Sequence, residues 1–154
     1  MIIEVNGTIT ISNKAKTIFD YISNLENDRF WRKEINYTLL DSKPGINTKA
    51  IENSFLSRKA PNHLVKLICS DYIQNRQIVY QTFTGAKYFL KSERKIELLS
   101  ENETKVHYTI KFDKSIVKQG LGFDMPKFIV QMAAKNDMKK YLATLKTILE
   151  TSRD

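Results

Sequence analysis

The sequence predicts an α+β fold in which a curved antiparallel sheet of about seven strands packs against one long C-terminal helix. Two observations lead to this prediction. Most of the chain consists of short segments in which apolar and polar residues alternate, separated by short turns. The last segment, from Pro126 to Glu150, instead repeats its apolar residues with helical spacing. Such a helix must bury its apolar face on the concave side of the sheet, and this arrangement tends to leave a cavity.

The chain opens with a predicted strand and two short helices. Residues 2–11 alternate between apolar and polar side chains, as a half-buried strand does. Ser12 or Asn13 then caps a first short helix with an apolar stripe. Residues 24–33 are expected to form a second short helix, or a helical turn, that carries Trp31.

The period of two returns after residue 33 and continues to residue 113. Turn-forming Pro, Gly and Asn residues separate the alternating segments, and the connections are short. This succession favours an antiparallel meander in which consecutive strands are neighbours. The predicted strands cover residues 34–42, 48–57, 63–72, 77–84, 87–99 and 104–113.

Residues 114–125 break the alternation and include Gly120 and Gly122 among apolar side chains. This segment is either a flexible flap over the mouth of the cavity or a plain connector packed on the core. The final helix then has one dominant apolar stripe and a second apolar patch in its first half. The second patch predicts that this half lies between the sheet and the flap. The stripe contains Val130, Ala134, Met138, Tyr141, Leu142, Leu145, Ile148 and Leu149, and the patch contains Phe128, Ile129, Met132 and Ala133.

The length and composition suit one globular domain covering residues 1–154. A chain of 154 residues buries roughly 70% of its unfolded surface on folding. No apolar run approaches the ~20 residues that cross a bilayer, and residues 1–5 resemble a strand rather than a secretory signal. The single cysteine, Cys69, cannot form an internal disulfide, so we expect a cytoplasmic protein.

The net charge of +8, from 25 basic and 17 acidic residues, would suit an anionic partner such as nucleic acid, anionic lipid or an acidic ligand. However, the basic residues are spread along the chain and no nucleic-acid recognition motif accompanies them. We therefore expect a solvated basic surface, no nucleic-acid partner and no integral membrane association.

Local sequence features resemble those of a known superfamily. Residues 9–13, followed by the Phe-Asp-Tyr-Ile-Ser run at 19–23, look like its first strand and helix, and Trp31 sits where it usually has a tryptophan. Residues 76–80 resemble its fifth strand, and residues 103–106 resemble its turn into the last strand. The superfamily is SRPBCC, the START-like helix-grip fold of pollen allergens, lipid-transfer START domains and polyketide cyclase/dehydrase proteins.

The resemblance covers the whole chain and implies the helix-grip arrangement, with a seven-stranded curved sheet gripping the C-terminal helix. It differs at one turn, because family members commonly carry a Gly-Gly-Thr-type sequence where this chain has Glu101-Asn102-Glu103-Thr104. Asn tolerates a positive φ, so we still expect this turn to form. The matching positions are mostly packing positions, which specify a fold more than a function.

Three functions are compatible with this resemblance. The first is binding of a small hydrophobic or amphipathic ligand, including an anionic one, in the cavity, by a monomer or homodimer without cofactor. The second is an enzyme of the cyclase/dehydratase kind, in which a shaped pocket folds a reactive chain and polar groups move protons. The third is an interaction module, whose basic surface and Trp31 region bind a protein or membrane face.

Strand parity gives the candidate ligand-binding residues, because alternate side chains point into the cavity. Arg94 is a guanidinium on an otherwise apolar face. It either meets a carboxylate of the protein, or awaits an anionic ligand group, or reaches water near the sheet edge. Asn53 and the tyrosines would orient a ligand through hydrogen bonds. The candidates are Tyr37, Asn53, Phe55, Leu67, Tyr88, Leu90, Arg94, Tyr108, Ile110, Phe123, Phe128 and Met132.

The remaining reactive residue types form no recognisable site. His63 is expected at a hairpin end and His107 on the outward face of its strand, without metal-ligand spacing around either. Cys69 has inward parity and no histidine partner to activate it, so we interpret it as a small core residue. The sequence therefore assigns no metal site and no catalytic residue.

Overall fold

Seven antiparallel strands form one sheet, as the alternating segments predict. A computed structural model of the protein describes residues 1–151. The sheet order is β1-β7-β6-β5-β4-β3-β2, so the first strand pairs with the last and the others follow as a meander. The strands are β1 (Ile2–Ile11), β2 (Ile35–Leu40), β3 (Lys49–Ser54), β4 (His63–Ile73), β5 (Gln77–Thr82), β6 (Leu90–Ser100) and β7 (Glu103–Asp113).

The sheet is interrupted by irregular register at three points, in β2, β4 and β6. The shifts fall between Ile35 and Tyr37, between Cys69 and Asp71, and between Leu98 and Ser100. Such bulges bend a strand and increase its local twist. They are consistent with a sheet that curls around the C-terminal helix.

Four helical segments accompany the sheet: α1 (Ala15–Ser23), a 3-10 helix (Leu25–Phe30), α2 (Ser115–Leu121) and α3 (Lys127–Thr151). The predicted cap of α1 is wrong, because its N-cap residue is Lys14, which makes no side-chain capping bond. Asn13 instead donates from Nδ2 to the Leu149 carbonyl oxygen at 2.7 Å. The Ser12 amide donates to Glu150 at 2.8 Å, so this junction fastens the end of α3.

The predicted stripe of α3 is its buried face. Val130, Met138, Tyr141, Leu142, Leu145 and Leu149 are buried. The helix crosses β1 very closely at Gly7, where an added Cβ would lie 2.6 Å from Met138 Cγ and 2.8 Å from Leu142 Cδ1. Glycine suits this position because any side chain would force Met138 and Leu142, or the helix itself, to shift.

The expectations for the segment before α3 and for its first turns need correction. Residues 115–121 form α2 rather than a loop, and Gly122 ends this helix in the left-handed conformation at φ 83°. The Ser57 hydroxyl donates to the Gly120 carbonyl oxygen, so α2 is fastened to the β3–β4 loop. The second apolar patch of α3 is consequently not covered: Phe128 is 67% and Met132 65% exposed.

Candidate ligand-binding site

A cavity of about 700 Å³ lies between the inner face of the sheet, α2 and α3. Its walls are mainly apolar. The aliphatic and aromatic side chains that line it come from β1, β2, β4, β6, β7, α2, α3 and the start of the β3–β4 loop. They are Val5, Ile35, Phe55, Leu56, Val65, Leu90, Ile110, Phe112, Ile116, Val117, Leu121, Ala133, Ala134 and Met138.

Polar side chains also line the cavity, and four of them are linked to one another. Arg32 places Nη2 2.9 Å from Glu34 Oε1 and Nη1 3.5 Å from Glu52 Oε2. The Tyr141 hydroxyl of α3 donates to the other carboxylate oxygen of Glu34. Arg32 and Glu52 are buried, so this linked group presents a desolvated guanidinium and carboxyl to the cavity. We refer to Arg32, Glu34, Glu52 and Tyr141 as the polar cluster.

A second, fully buried ion pair lies outside the cavity lining and contacts Arg32 of the polar cluster. Arg94 donates from Nη1 to Asp28 Oδ1 at 2.8 Å and from Nη2 to Asp28 Oδ2 at 2.6 Å. Asp28 Oδ2 also accepts from Arg32 Nη1 at 3.0 Å. The Arg94 guanidinium lies 4.9 Å from the ring centroids of both Trp31 and Tyr108. Arg94 therefore meets a carboxylate of the protein, which is one of the alternatives left open by the sequence, and it is 1% exposed rather than close to water.

Burial and the neighbouring charges together raise the pKa values of Glu52, Arg32 and Tyr141 in the polar cluster. Burial raises the pKa of Glu52 above its ordinary value, and Arg32 only partly counteracts this. Burial would lower the pKa of Arg32, but the surrounding acidic groups, including Glu34 and Glu52, raise it well above its ordinary value. Burial and Glu34 both raise the pKa of the Tyr141 hydroxyl. The arginine thus stays charged, whereas burial shifts the titration of the Glu52 carboxyl to higher pH.

His63 contributes a further polar group to the cavity wall. Its pKa is lowered by burial and by Lys87, so the neutral imidazole is favoured. Within residues 1–151, its buried Nε2 has no hydrogen-bond partner. The sequence placed His63 at a hairpin end, which is correct, but gave no sign that the start of β4 borders the cavity.

Three of the sequence-predicted residues line the cavity: Phe55, Leu90 and Ile110. Leu67, Arg94 and Tyr108 point inward as expected but are buried in the core without bordering it. Tyr88 precedes β6 and donates its hydroxyl hydrogen bond to Gln119 Oε1 at 3.0 Å. Phe123, expected in the flap, is exposed, and so are Phe128 and Met132, which contradicts their expected place between the sheet and the flap.

The inward orientation predicted for Tyr37 and Asn53 is wrong. Asn53 pairs with Tyr37 across β2 and β3, and its Nδ2 donates to the Tyr37 hydroxyl at 3.4 Å on the face opposite Glu52. Tyr37 is 39% exposed. The face of β3 that points inward carries a charged residue, Glu52, and the predicted apolar face is therefore the outer one. Arg32 lies 3.5 Å from Glu52 and compensates its charge.

The cysteine behaves as the sequence suggests. Cys69 is buried, its thiol donates to the Asp71 carbonyl oxygen at 3.3 Å, and burial raises its pKa to about 11. His107 lies on the outer face of β7, with its Nε2 3.1 Å from Glu97 Oε1.

Residues 1–151 contain no group of three or more side chains suited to hold a metal ion. Over the same span, no helix has the length and hydropathy needed to cross a membrane.

Comparison with known proteins decides the fold. No family model matches the sequence, and the curated proteins contain no detectable relative. A START superfamily protein from Mycobacterium smegmatis superposes with a TM-score of 0.74 at 15% identity, over 96% of this chain and 97% of the other. The chain has a START-like fold.

Polyketide aromatase/cyclases share this START-like fold. The Zhui aromatase/cyclase from Streptomyces sp. R1128 has a TM-score of 0.73 at 13% identity, covering 97% of this chain and 94% of Zhui. The di-domain aromatase/cyclase StfQ of the steffimycin biosynthetic pathway has a TM-score of 0.68 at 9% identity, covering 98% of this chain and 52% of StfQ. A START superfamily protein and aromatase/cyclases are therefore both among its structural neighbours.

Proposed function

We propose that this START-like protein binds a small, mainly apolar molecule in the cavity, with one polar group of the ligand directed at the polar cluster. The observation that carries the proposal is the combination of a cavity of about 700 Å³ with apolar walls and a linked set of buried polar groups. Apolar walls supply affinity, and a few fixed polar groups supply orientation.

The charges of the polar cluster favour a neutral ligand over an anionic one. Arg94 is paired with Asp28, and Arg32 with Asp28 and Glu34, so both guanidiniums already have carboxylate partners. Lys33 lies at the rim, with its side chain 66% exposed and its ammonium 3.4 Å from Asp137. A ligand carboxylate would therefore add negative charge beside existing carboxylates without an unpaired buried cation to offset it.

The ligand group that suits this cluster is a neutral hydrogen-bond acceptor, such as a ketone or ester carbonyl. In this proposal Glu52 is the donor, because burial raises the pKa of its carboxyl above the ordinary value. Among residues 1–151, Arg32 is the only group within ion-pair distance of Glu52, at 3.5 Å, which leaves the carboxyl free to donate to a ligand. This proposal replaces the anionic ligand considered from the sequence.

An enzyme of the aromatase/cyclase type is the second candidate. The fold shared with Zhui and StfQ favours it, as does a carboxyl of raised pKa at the wall of a cavity. In that function Glu52 would protonate a carbonyl oxygen of the bound chain. Binding alone requires only the cavity and the donor, so it remains the function that the geometry supports best.

Occupancy of the cavity is tested with Nile red, a neutral dye that carries a carbonyl acceptor and fluoresces strongly in apolar surroundings. Ala133 lines the cavity and is exposed, so Ala133→Trp fills the space without disturbing the core. Ala143, exposed on the same helix and outside the cavity lining, supplies the matched control Ala143→Trp. We expect the dye's emission to fall several-fold for Ala133→Trp alone; equal emission from both variants would refute cavity binding.

A further inference from the structure

The region around the C-terminal end of α2 and the first turns of α3 exposes large apolar side chains. Phe123 is 57%, Phe128 67%, Met132 65% and Ile129 38% exposed. Phe128 and Met132 are four residues apart on one face of α3, and Ile129 and Met132 are three apart, so they are neighbours on the helix surface. We call Phe123, Phe128, Ile129 and Met132 the mouth patch.

The mouth patch is accompanied by cations. The Lys59 ammonium lies 3.5 Å from the place that a Cβ would take on Gly122, next to Phe123. Asp124 is 3.3 Å from Lys114 and is thereby neutralised. The exposed basic residues of α2, of the start of α3 and of the β3–β4 loop are Arg58, Lys59, Lys118, Lys127 and Lys135.

We propose that the mouth patch docks on the surface of an anionic lipid bilayer. Apolar side chains flanked by lysines are the composition of interfacial membrane-binding segments, in which aromatic rings enter the headgroup region while the cations face lipid phosphates. A second copy of the chain is a poorer partner, because a symmetric contact would bring the same cations face to face. The bilayer satisfies both the apolar and the cationic features.

Docking through the mouth patch would orient the protein so that its cavity lies next to the bilayer. Phe55, Gly120, Leu121 and Ala133 line the cavity, and they lie in the same loop and helices that carry the patch and its cations. An apolar ligand could then pass between the bilayer and the cavity with little exposure to water. Docking itself does not require a ligand in the cavity, so it is measurable whether or not the proposed binding function holds.

Co-sedimentation with vesicles tests the docking. The full chain is mixed with vesicles of phosphatidylcholine alone or of equal parts phosphatidylcholine and phosphatidylglycerol. We expect binding to the anionic vesicles only, weakened by high salt. Because the patch is exposed, the double variant Phe123→Ser with Phe128→Ser should fold normally. Its affinity for the anionic vesicles should fall by about tenfold or more. Lys118→Glu with Lys127→Glu should have a similar effect.

Matched substitutions at exposed positions of β4 and β6 provide the controls. Leu64 is 59% and Leu98 64% exposed, so Leu64→Ser with Leu98→Ser removes comparable apolar area elsewhere and should leave vesicle binding unchanged. Lys66→Glu is the corresponding charge control. Absence of binding to anionic vesicles, or equal loss in patch and control variants, would overturn the proposal. A concentration-dependent dimer that Phe128→Ser dissociates would assign the patch to a second copy instead.

Discussion

Arg94 on β6 and Asp28 in the 3-10 helix form a two-pronged ion pair, with nitrogen–oxygen distances of 2.8 and 2.6 Å, inside the core. The Arg94 guanidinium also donates to the Ile22 carbonyl oxygen at 2.8 Å and to Ser92 Oγ at 3.2 Å. The pair thus joins the region of the short helices to the sheet. Through Asp28 it also positions Arg32 at the cavity wall.

Removal of the arginine from this pair should destabilise the protein strongly. Arg94→Met leaves the Asp28 carboxylate buried and only partly compensated by Arg32, and a lone buried charge of this kind costs about 3–5 kcal/mol. Urea unfolding measures the difference. Lys95→Met, at the exposed neighbouring position, is the control and should change stability by less than about 0.5 kcal/mol. A loss as small as the control's would mean that the pair is not structurally required.

The close crossing of α3 over β1 predicts a steric requirement at Gly7. Gly7→Ala places a Cβ 2.6 Å from Met138 Cγ, so the helix or the methionine must move, and overpacking of this kind costs about 1–3 kcal/mol. The matched control is Gly45→Ala, whose Cβ would meet its nearest neighbour at 3.9 Å. Thermal unfolding should show a lower Tm for Gly7→Ala only; an equal Tm for both would refute the close crossing.

The raised pKa of Glu52 predicts a pH dependence of stability. The folded-state pKa lies above the ordinary value of 4.5, since burial disfavours the carboxylate. The contribution of Glu52 to stability is therefore fully present below pH 4.5 and is lost as the pH rises through the folded-state pKa. Relative to Glu52→Gln, the wild-type protein should become less stable over that rise.

Urea unfolding of both proteins at a series of pH values measures this difference. Glu101→Gln, at an exposed turn position, is the control and should track the wild-type protein throughout. A wild-type protein that gains stability relative to Glu52→Gln as the pH rises would reverse the sign and show that the folded protein favours the carboxylate.

The hydrogen bond from Tyr141 to Glu34 links α3 to the polar cluster. Tyr141→Phe removes the donor and leaves a partly buried carboxylate with one partner fewer, at a cost of about 1.5 kcal/mol. Tyr37→Phe is the control, since among residues 1–151 the Tyr37 hydroxyl accepts one long bond, of 3.4 Å, from Asn53. Equal urea midpoints for the two variants would contradict a structural role for the Tyr141 bond.

The sequence predicts the fold well where alternation is unbroken. In β7, Val106 and Tyr108 are buried as their parity indicates, and the stripe of α3 is the buried one. Parity fails in β2 and β3. The register shift between Ile35 and Tyr37 interrupts one strand, and a buried glutamate inverts the apparent apolar face of the other.

The polar cluster and the buried Arg94–Asp28 pair were the parts that the sequence could not predict. A carboxylate partner was one of the alternatives for Arg94, but that partner, Asp28, is 66 residues away in the chain. The pairing of Arg32 with Glu52 likewise depends on how the short helix lies against the sheet. Local sequence spacing indicates only the pair of Asp28 and Arg32, which are four residues apart. The exposed Phe128 and Met132 were misplaced because helical periodicity does not indicate which of two apolar faces is covered.

The most direct measurement is displacement of bound Nile red by methyl decanoate and by decanoate, in the wild-type protein and in Glu52→Leu. The wild-type protein should prefer the ester, and this preference should fall about tenfold in the variant, which loses both the donor and an acidic group. Comparison of the two proteins cancels the ester's greater hydrophobicity. Tighter binding of decanoate by the wild-type protein would contradict a site built for a neutral acceptor.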